Sequence, residues 1–168
     1  MLESFFFFTV AAIAIISGIL VVTCKNPINS ALSLVVTFFC LAIFYVMLDA
    51  PFLAAVQIMV YAGAIMVLII FVIMLLNIQA ETGKRTVHAL VTGCIIAFLI
   101  LCESTWLLTG GTIAKSRGPM DQALILKAGH TELIGMAMFG DFLLPFEITS
   151  LLLLTAIIGA VVLAKKKV

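Results

Sequence analysis

Charged side chains are scarce in this sequence. Lys, Arg, Asp and Glu make up 10% of the 168 residues, hydrophobic residues make up 65%, and the mean hydropathy is +1.37. A domain of this length needs a much more charged surface to stay in water, so the composition excludes a soluble globular protein. A net charge of +1 also gives no basis for nucleic acid binding. The sequence therefore predicts an integral membrane protein surrounded by the lipid bilayer.

Residues that usually bind metals or cofactors are few as well. The chain has four cysteines and two histidines. No two cysteines form a C-x-x-C pair, and neither histidine lies at ligand spacing from a cysteine. The sequence thus contains no candidate catalytic residue, metal site or cofactor-binding motif for this chain.

Long apolar runs are what the sequence does contain. Each is close to the roughly 20 residues that a helix needs to cross a bilayer, and none shows the period-2 alternation of a barrel strand. The runs cover residues 4–23, 31–48, 52–76, 87–108 and 142–164. We predict an all-α integral membrane protein with five transmembrane helices, formed by a single domain over residues 1–168. Residues 109–141 are predicted to form an external loop with a short interfacial helix.

Lys and Arg lie unevenly on the two sides of such a bundle. Six fall on the side of the C-terminus and three on the other. The six are Lys25, Lys84, Arg85, Lys165, Lys166 and Lys167, and the three are Lys115, Arg117 and Lys127. Because cytoplasmic loops are enriched in basic residues, the C-terminus is predicted to be cytoplasmic and the N-terminus outside.

A polar patch interrupts the third apolar run. Gln57 and Tyr61 are four residues apart, so a regular helix places them on one face. Gly63, flanked by Ala62 and Ala64, allows another backbone to approach closely. This face has two interpretations: a helix–helix interface with satisfied hydrogen-bonding groups, or a path for water and protons.

Three carboxylates lie in or near the apolar runs, where an ionised group costs about 2.5 to 3.5 kcal/mol. Asp49 precedes Pro51 by two residues and is predicted to cap the third helix. Glu147 follows Pro145 and is predicted in the first turn of the fifth helix, where the helix dipole favours it. Glu103 lies near the outer end of the fourth run. Glu103 and Glu147 are each either structural groups or protonatable members of a relay.

Several motifs resemble one known family. They lie in the first loop, the third span and the last span, in that order along the chain. The motifs are Asn26-Pro27 with Ser30-Ala31-Leu32, Val56-Gln57-Ile58, Val60-Tyr61-Ala62-Gly63-Ala64-Ile65, Phe71-Val72-Ile73-Met74-Leu75 and Pro145-Phe146-Glu147. They are similar to those of the chain J (mitochondrial ND-six type) subunit of proton-pumping NADH:quinone oxidoreductase, respiratory complex I. The family has five helices and an external N-terminus.

The resemblance implies a membrane-arm subunit that helps to couple quinone reduction to proton translocation. It implies no redox centre in this chain, because NADH, FMN, iron–sulfur clusters and quinone are bound by other subunits. The expected partners are the other membrane subunits of complex I, namely those of the quinone site and the small antiporter-like ones. The expected location is the bacterial cytoplasmic (inner) membrane.

The resemblance also implies a conformational role for the third helix. In the family, the positions that match Tyr61 to Val67 can hold a π-bulge that interconverts with regular α-helix. Each inserted residue turns the side chains beyond it by about 100°, so Met66, Val67 or Ile70 would swing into or out of a hydrated channel. Gly63 would supply backbone freedom, and Tyr61, with Gln57 on the same patch, would belong to the proton path.

Two other classes fit the same composition. One is a subunit of a related ferredoxin-type or cation/proton antiporter complex. The other is a non-catalytic membrane scaffold, in which the glycine face only holds helices together. Membership of a large assembly that oxidises NADH separates these classes.

Overall fold

The computed structural model of the chain describes residues 1–76, 87–110 and 129–165. All regular elements within these residues are helices, which confirms the predicted helical class. They are α1 (Leu2–Thr23), α2 (Pro27–Met47), α3 (Pro51–Leu76), α4 (Val87–Gly110), α5 (His130–Phe139) and α6 (Leu143–Ala164).

Four of these helices, α1, α2, α3 and α6, are long and apolar enough to cross a membrane. The helix α4 has 24 residues, and within its described part the apolar stretch runs over Thr92–Leu107. The chain is therefore a helical membrane protein. The fifth span and the orientation of the termini stay predictions.

The start of α2 lies four residues before the predicted one, because the sequence provides a cap there. The Asn26 side chain accepts a hydrogen bond from the Ile28 amide at 2.9 Å, and Pro27 occupies the first helical position. A capping asparagine followed by proline is a strong helix start. An estimate from hydropathy alone misses it, since the first turn is polar.

The turn between α2 and α3 corrects the prediction for Asp49. Asp49 has a left-handed backbone, with φ of 56°, and its amide donates to the Val46 carbonyl at 3.1 Å. It therefore belongs to the end of α2. The residue that precedes the first turn of α3 is Ala50, and no side chain caps that helix. The predicted capping role of Asp49 is wrong, because the left-handed turn places it one residue too early.

α1 packs on α2 through a polar contact and an aromatic contact. The hydroxyls of Ser17 and Thr37 lie 2.9 Å apart, and the Ser17 hydroxyl lies 3.0 Å from the Ala14 carbonyl oxygen. The rings of Phe7 and Phe44 have centroids 5.5 Å apart. Hydrogen bonds between helices fix their register within a membrane, where apolar contacts alone are weakly specific.

α2 also packs along the length of α3, so it has a neighbour on each side. Most side chains that the described part of the chain buries are small, which lets the helix backbones approach closely. The buried apolar residues are Val10, Ala31, Cys40, Ala42, Ala54, Ala62, Met66 and Leu133. Met66 is the one large side chain among them with less than 2% exposure.

α5 and α6 belong to a second unit of the chain, Gly118–Val168, which is described by itself. The rings of Phe139 and Phe146 have centroids 4.9 Å apart, and the Phe142 amide donates to the Ala137 carbonyl at 2.9 Å. α5 lies within the predicted loop 109–141, of which residues 111–128 are outside the described part. Its position at the membrane interface stays a prediction.

Candidate functional site

The third helix changes its hydrogen-bonding pattern along its length. It begins with α-helical turns over Pro51–Val56, continues as a π-helix over Gln57–Ile65, and returns to α-helix over Met66–Leu76. We call Gln57–Ile65 the π segment. In a π-helix each amide bonds to the carbonyl five residues before it, so the turns are wider than in an α-helix. π segments are rare and are frequently found at functional sites.

The π segment overlaps the stretch in which the family resemblance places a π-bulge. The overlap runs from Tyr61 to Ile65, and the segment starts four residues earlier than expected. At its end the Met66 amide is shared between the Tyr61 carbonyl, five residues back, and the Gly63 carbonyl, three residues back. The π pattern thus gives way to regular helix at Met66.

Gly63 lies close to a backbone oxygen of the preceding turn. A Cβ atom added at Gly63 would lie 3.1 Å from the Ile58 carbonyl oxygen, closer than ordinary van der Waals contact. This oxygen is part of the backbone, so it cannot move aside as the tip of a flexible side chain can. The absence of a side chain at this position therefore suits the observed backbone.

The π segment determines which side chains face α2. Gln57, Ala62 and Met66 are buried, with exposures of 7%, 7% and 1%. α2 is the neighbouring helix that packs against the segment, so these three residues face it. In a regular α-helix, nine residues at about 100° each would put Gln57 and Met66 on opposite faces. The wider π turns are what bring both to the α2 side.

This geometry corrects one expectation. Gln57 and Tyr61, four residues apart, were predicted to share a face, but Tyr61 is 45% exposed while Gln57 is buried. Five-residue periodicity buries Ala62 in place of Tyr61. Among the other predicted site residues, Gly63 is half-buried and Val67 is exposed.

Tyr61 lies at the flank of the α2–α3 contact. Its ring meets that of Phe38 edge-on, with centroids 5.9 Å apart and an angle of 65° between the planes. Within the described residues its hydroxyl makes no hydrogen bond. Phe38 was not anticipated as a neighbour, because spacing within one helix contains no information about which residue of another helix it meets.

The two carboxylates proposed as protonatable groups lie on other helices. Glu103 is exposed on α4. Glu147 is exposed on α6, and its predicted position in the first turn is wrong, because the helix begins at Leu143, two residues before Pro145. In the described residues no group of three or more His, Cys, Asp or Glu side chains could hold a metal ion.

The family model described as NADH-ubiquinone/plastoquinone oxidoreductase chain 6 matches residues 17–163 of this sequence. The chain belongs to this family. The resemblance to the chain J subunit of complex I is thereby confirmed. Family membership classes the chain as a membrane subunit of a translocating NADH:quinone oxidoreductase.

Individual relatives cover nearly the whole chain. NAD(P)H-quinone oxidoreductase chain 6 of Leptolyngbya boryana is 39% identical over 164 residues, which span 96% of this chain and 79% of the relative. The "NAD(P)H-quinone oxidoreductase subunit 6, chloroplastic" of Staurastrum punctulatum is 38% identical over 167 residues, which span 92% of this chain and 86% of the relative. NADH-quinone oxidoreductase subunit J of Rhodobacter capsulatus is 34% identical over 161 residues, which span 95% of this chain and 80% of the relative.

Proposed function

We propose that this chain couples quinone reduction to proton translocation in a NADH:quinone oxidoreductase, with α3 acting as a helical gate. The observation that supports this most is the π segment Gln57–Ile65 in a helix that is apolar enough to span the membrane. In this proposal NADH, FMN, iron–sulfur clusters and quinone are bound by other subunits. The partners are the quinone-site and small antiporter-like membrane subunits, in the bacterial inner membrane.

The gate works by exchanging π-helix for α-helix. Loss of the widened turn rotates the part of α3 that follows it by about 100° relative to the part before it. Met66 then leaves its place against α2, and a neighbouring side chain takes that place. Tyr61, whose hydroxyl is available at the exposed flank, bonds into the water path in one form, and apolar side chains interrupt the path in the other.

Gly63→Val tests the gate in the assembled complex. Valine adds a Cβ at 3.1 Å from the Ile58 carbonyl oxygen and two methyl groups with little rotameric freedom. Overpacking of this kind costs about 1 to 3 kcal/mol, which changes the ratio of π to α forms by roughly 5- to 150-fold. We expect inside-out membrane vesicles to keep NADH oxidation with an artificial acceptor but to take up fewer protons per NADH oxidised with quinone.

Gly93→Val on α4 is the matched control, since a Cβ at Gly93 meets nothing within 4 Å. Should Gly63→Val prevent assembly on native gels, Gly63→Ala introduces the Cβ contact alone. Coupling that survives the Gly63 substitutions unchanged relative to the Gly93 control would refute the gate.

A further inference from the structure

Two polar side chains are buried in the described part of the chain, Ser17 and Gln57. Ser17 has partners: its hydroxyl lies 3.0 Å from the Ala14 carbonyl oxygen and 2.9 Å from the Thr37 hydroxyl. The Gln57 side-chain amide has no hydrogen-bond partner among the groups that the structure describes. Polar groups of mostly buried residues usually have a hydrogen-bond partner, so the unpaired Gln57 amide needs an explanation.

The surface of α2 that faces Gln57 offers no partner. α2 and α3 run in opposite directions through the short turn at Asp49, and Tyr61 meets Phe38. Gln57, one turn before Tyr61, therefore lies near the level of Ala42, one turn after Phe38. From Phe38 to Phe44 the sequence of α2 has no side chain with a nitrogen or oxygen atom.

The Gln57 amide is nevertheless partly exposed. Every side-chain nitrogen or oxygen that is completely buried in the described residues has a hydrogen-bond partner. Since Gln57 has none, its amide must retain part of the 7% exposure of the residue. A small polar molecule can therefore reach the amide group from outside the contact between α2 and α3.

We propose that the Gln57 amide binds a water molecule between α2 and α3, at the first turn of the π segment. Ala42, which is 2% exposed, adds only a methyl group on the opposite wall. The amide offers one acceptor and one donor group, and its exposed part leaves room for the water to bond onward to further water. The binding itself does not depend on the gate, whereas the use of this water in proton transfer rests on the proposed function.

The surroundings of the site depend on the conformation of α3. Gln57 and Met66 both face α2 only while the π segment separates them, because regular α-helix would set them about 180° apart. Hydration at Gln57 and burial of Met66 therefore coincide in the π form. In the proposed conversion to α-helix Met66 leaves the α2 side and Gln57 stays there.

The test is a cryo-electron microscopy map of the whole complex at a resolution that shows ordered water. In the wild type we expect density within 3.5 Å of the Gln57 amide, and in Gln57→Met, which keeps the length of the side chain without its polar atoms, we expect that density to be lost. A side chain of another subunit bonded to the amide, or no density within 3.5 Å of it, would overturn the proposal. The wild-type map decides this even if the variant fails to assemble.

Proton uptake per NADH separates this proposal from the gate. We expect uptake to fall in Gln57→Met and to stay at the wild-type value in Ser17→Ala, which also removes a buried polar group but one satisfied within the chain. Absent water with uncoupling by Gly63→Val refutes the water site and leaves the gate. Water present with full coupling in Gly63→Val refutes the gate and leaves the water site.

Discussion

Met66 is the residue whose burial belongs most specifically to the π form. It is 1% exposed and faces α2, and nine residues of regular α-helix would turn it to the side opposite Gln57. Met66→Ala therefore removes packing contacts from the π form of α3 and few from the α form. Substituting a buried methionine by alanine costs about 2 to 5 kcal/mol in soluble proteins. We take the low end, about 2 kcal/mol, because lipid is as apolar as the protein interior. The hydrophobic part of the cost is therefore small in a membrane, and the loss of packing contacts makes up most of the remainder.

A penalty of about 2 kcal/mol on the π form lowers its population roughly 30-fold relative to the α form. The direct assay counts, in electron microscopy images of the complex, the particles whose third helix is in the π form. Proton uptake per NADH in membrane vesicles gives the functional readout, and both should fall in Met66→Ala.

Met74→Ala is the control for this prediction, since Met74 lies on the same helix and is 63% exposed. It removes the same atoms without leaving a buried cavity. Equal π populations in the two variants would refute the reasoning, because they would mean that the burial of Met66 does not depend on the widened turn.

Three further substitutions test the packing of the first three helices by the half-inactivation temperature of the complex. Asn26→Ala removes the cap of α2 and should cost about 1 kcal/mol, whereas Asn26→Ser should restore most of it. Ser17→Ala breaks the hydrogen bond to Thr37 and should lower the stability by about 0.6 kcal/mol. If Ser17→Ala lowers the stability by the same amount in the Thr37→Val variant, that hydrogen bond does not contribute. Phe38→Leu should lower the stability by about 0.5 to 1.5 kcal/mol more than the loss of buried area explains, and this excess should appear only while Tyr61 is present. A double-mutant cycle with Tyr61→Leu measures the excess.

Apolar run length predicts where the helices of this chain lie, because a bilayer requires about 20 apolar residues for each crossing. Helix ends are predicted less well, since they depend on polar residues that hydropathy averages remove. Asn26 and Pro27 start α2 in a polar turn, and Leu143 starts α6 two residues before Pro145, the residue whose chemistry predicts the start. Asp49 shows the opposite error, in which a residue with capping chemistry ends one helix instead of starting the next.

The π segment is invisible to periodicity, because a wider turn leaves the composition unchanged and only shifts the burial pattern from four residues to five. The polar patch singles out Tyr61 and Gly63, and the resemblance to the family adds the expectation of a π-bulge there. The start of the segment at Gln57, and the burial of Ala62 with it, follow from packing against α2 and could not be obtained from α3 alone. The same holds for the missing partner of Gln57, which depends on the side chains of a different helix.

The π segment has a consequence at the level of the gene. In an ordinary helix, an in-frame deletion of one codon turns everything beyond it by about 100° and ruins the packing of that part. Within Gln57–Ile65 the same deletion removes the surplus residue of a widened turn. Gln57 and Met66 would then be eight residues apart and about 80° apart around regular α-helix, close enough to share a face. One missing codon would thus leave a chain that packs as before but can no longer switch.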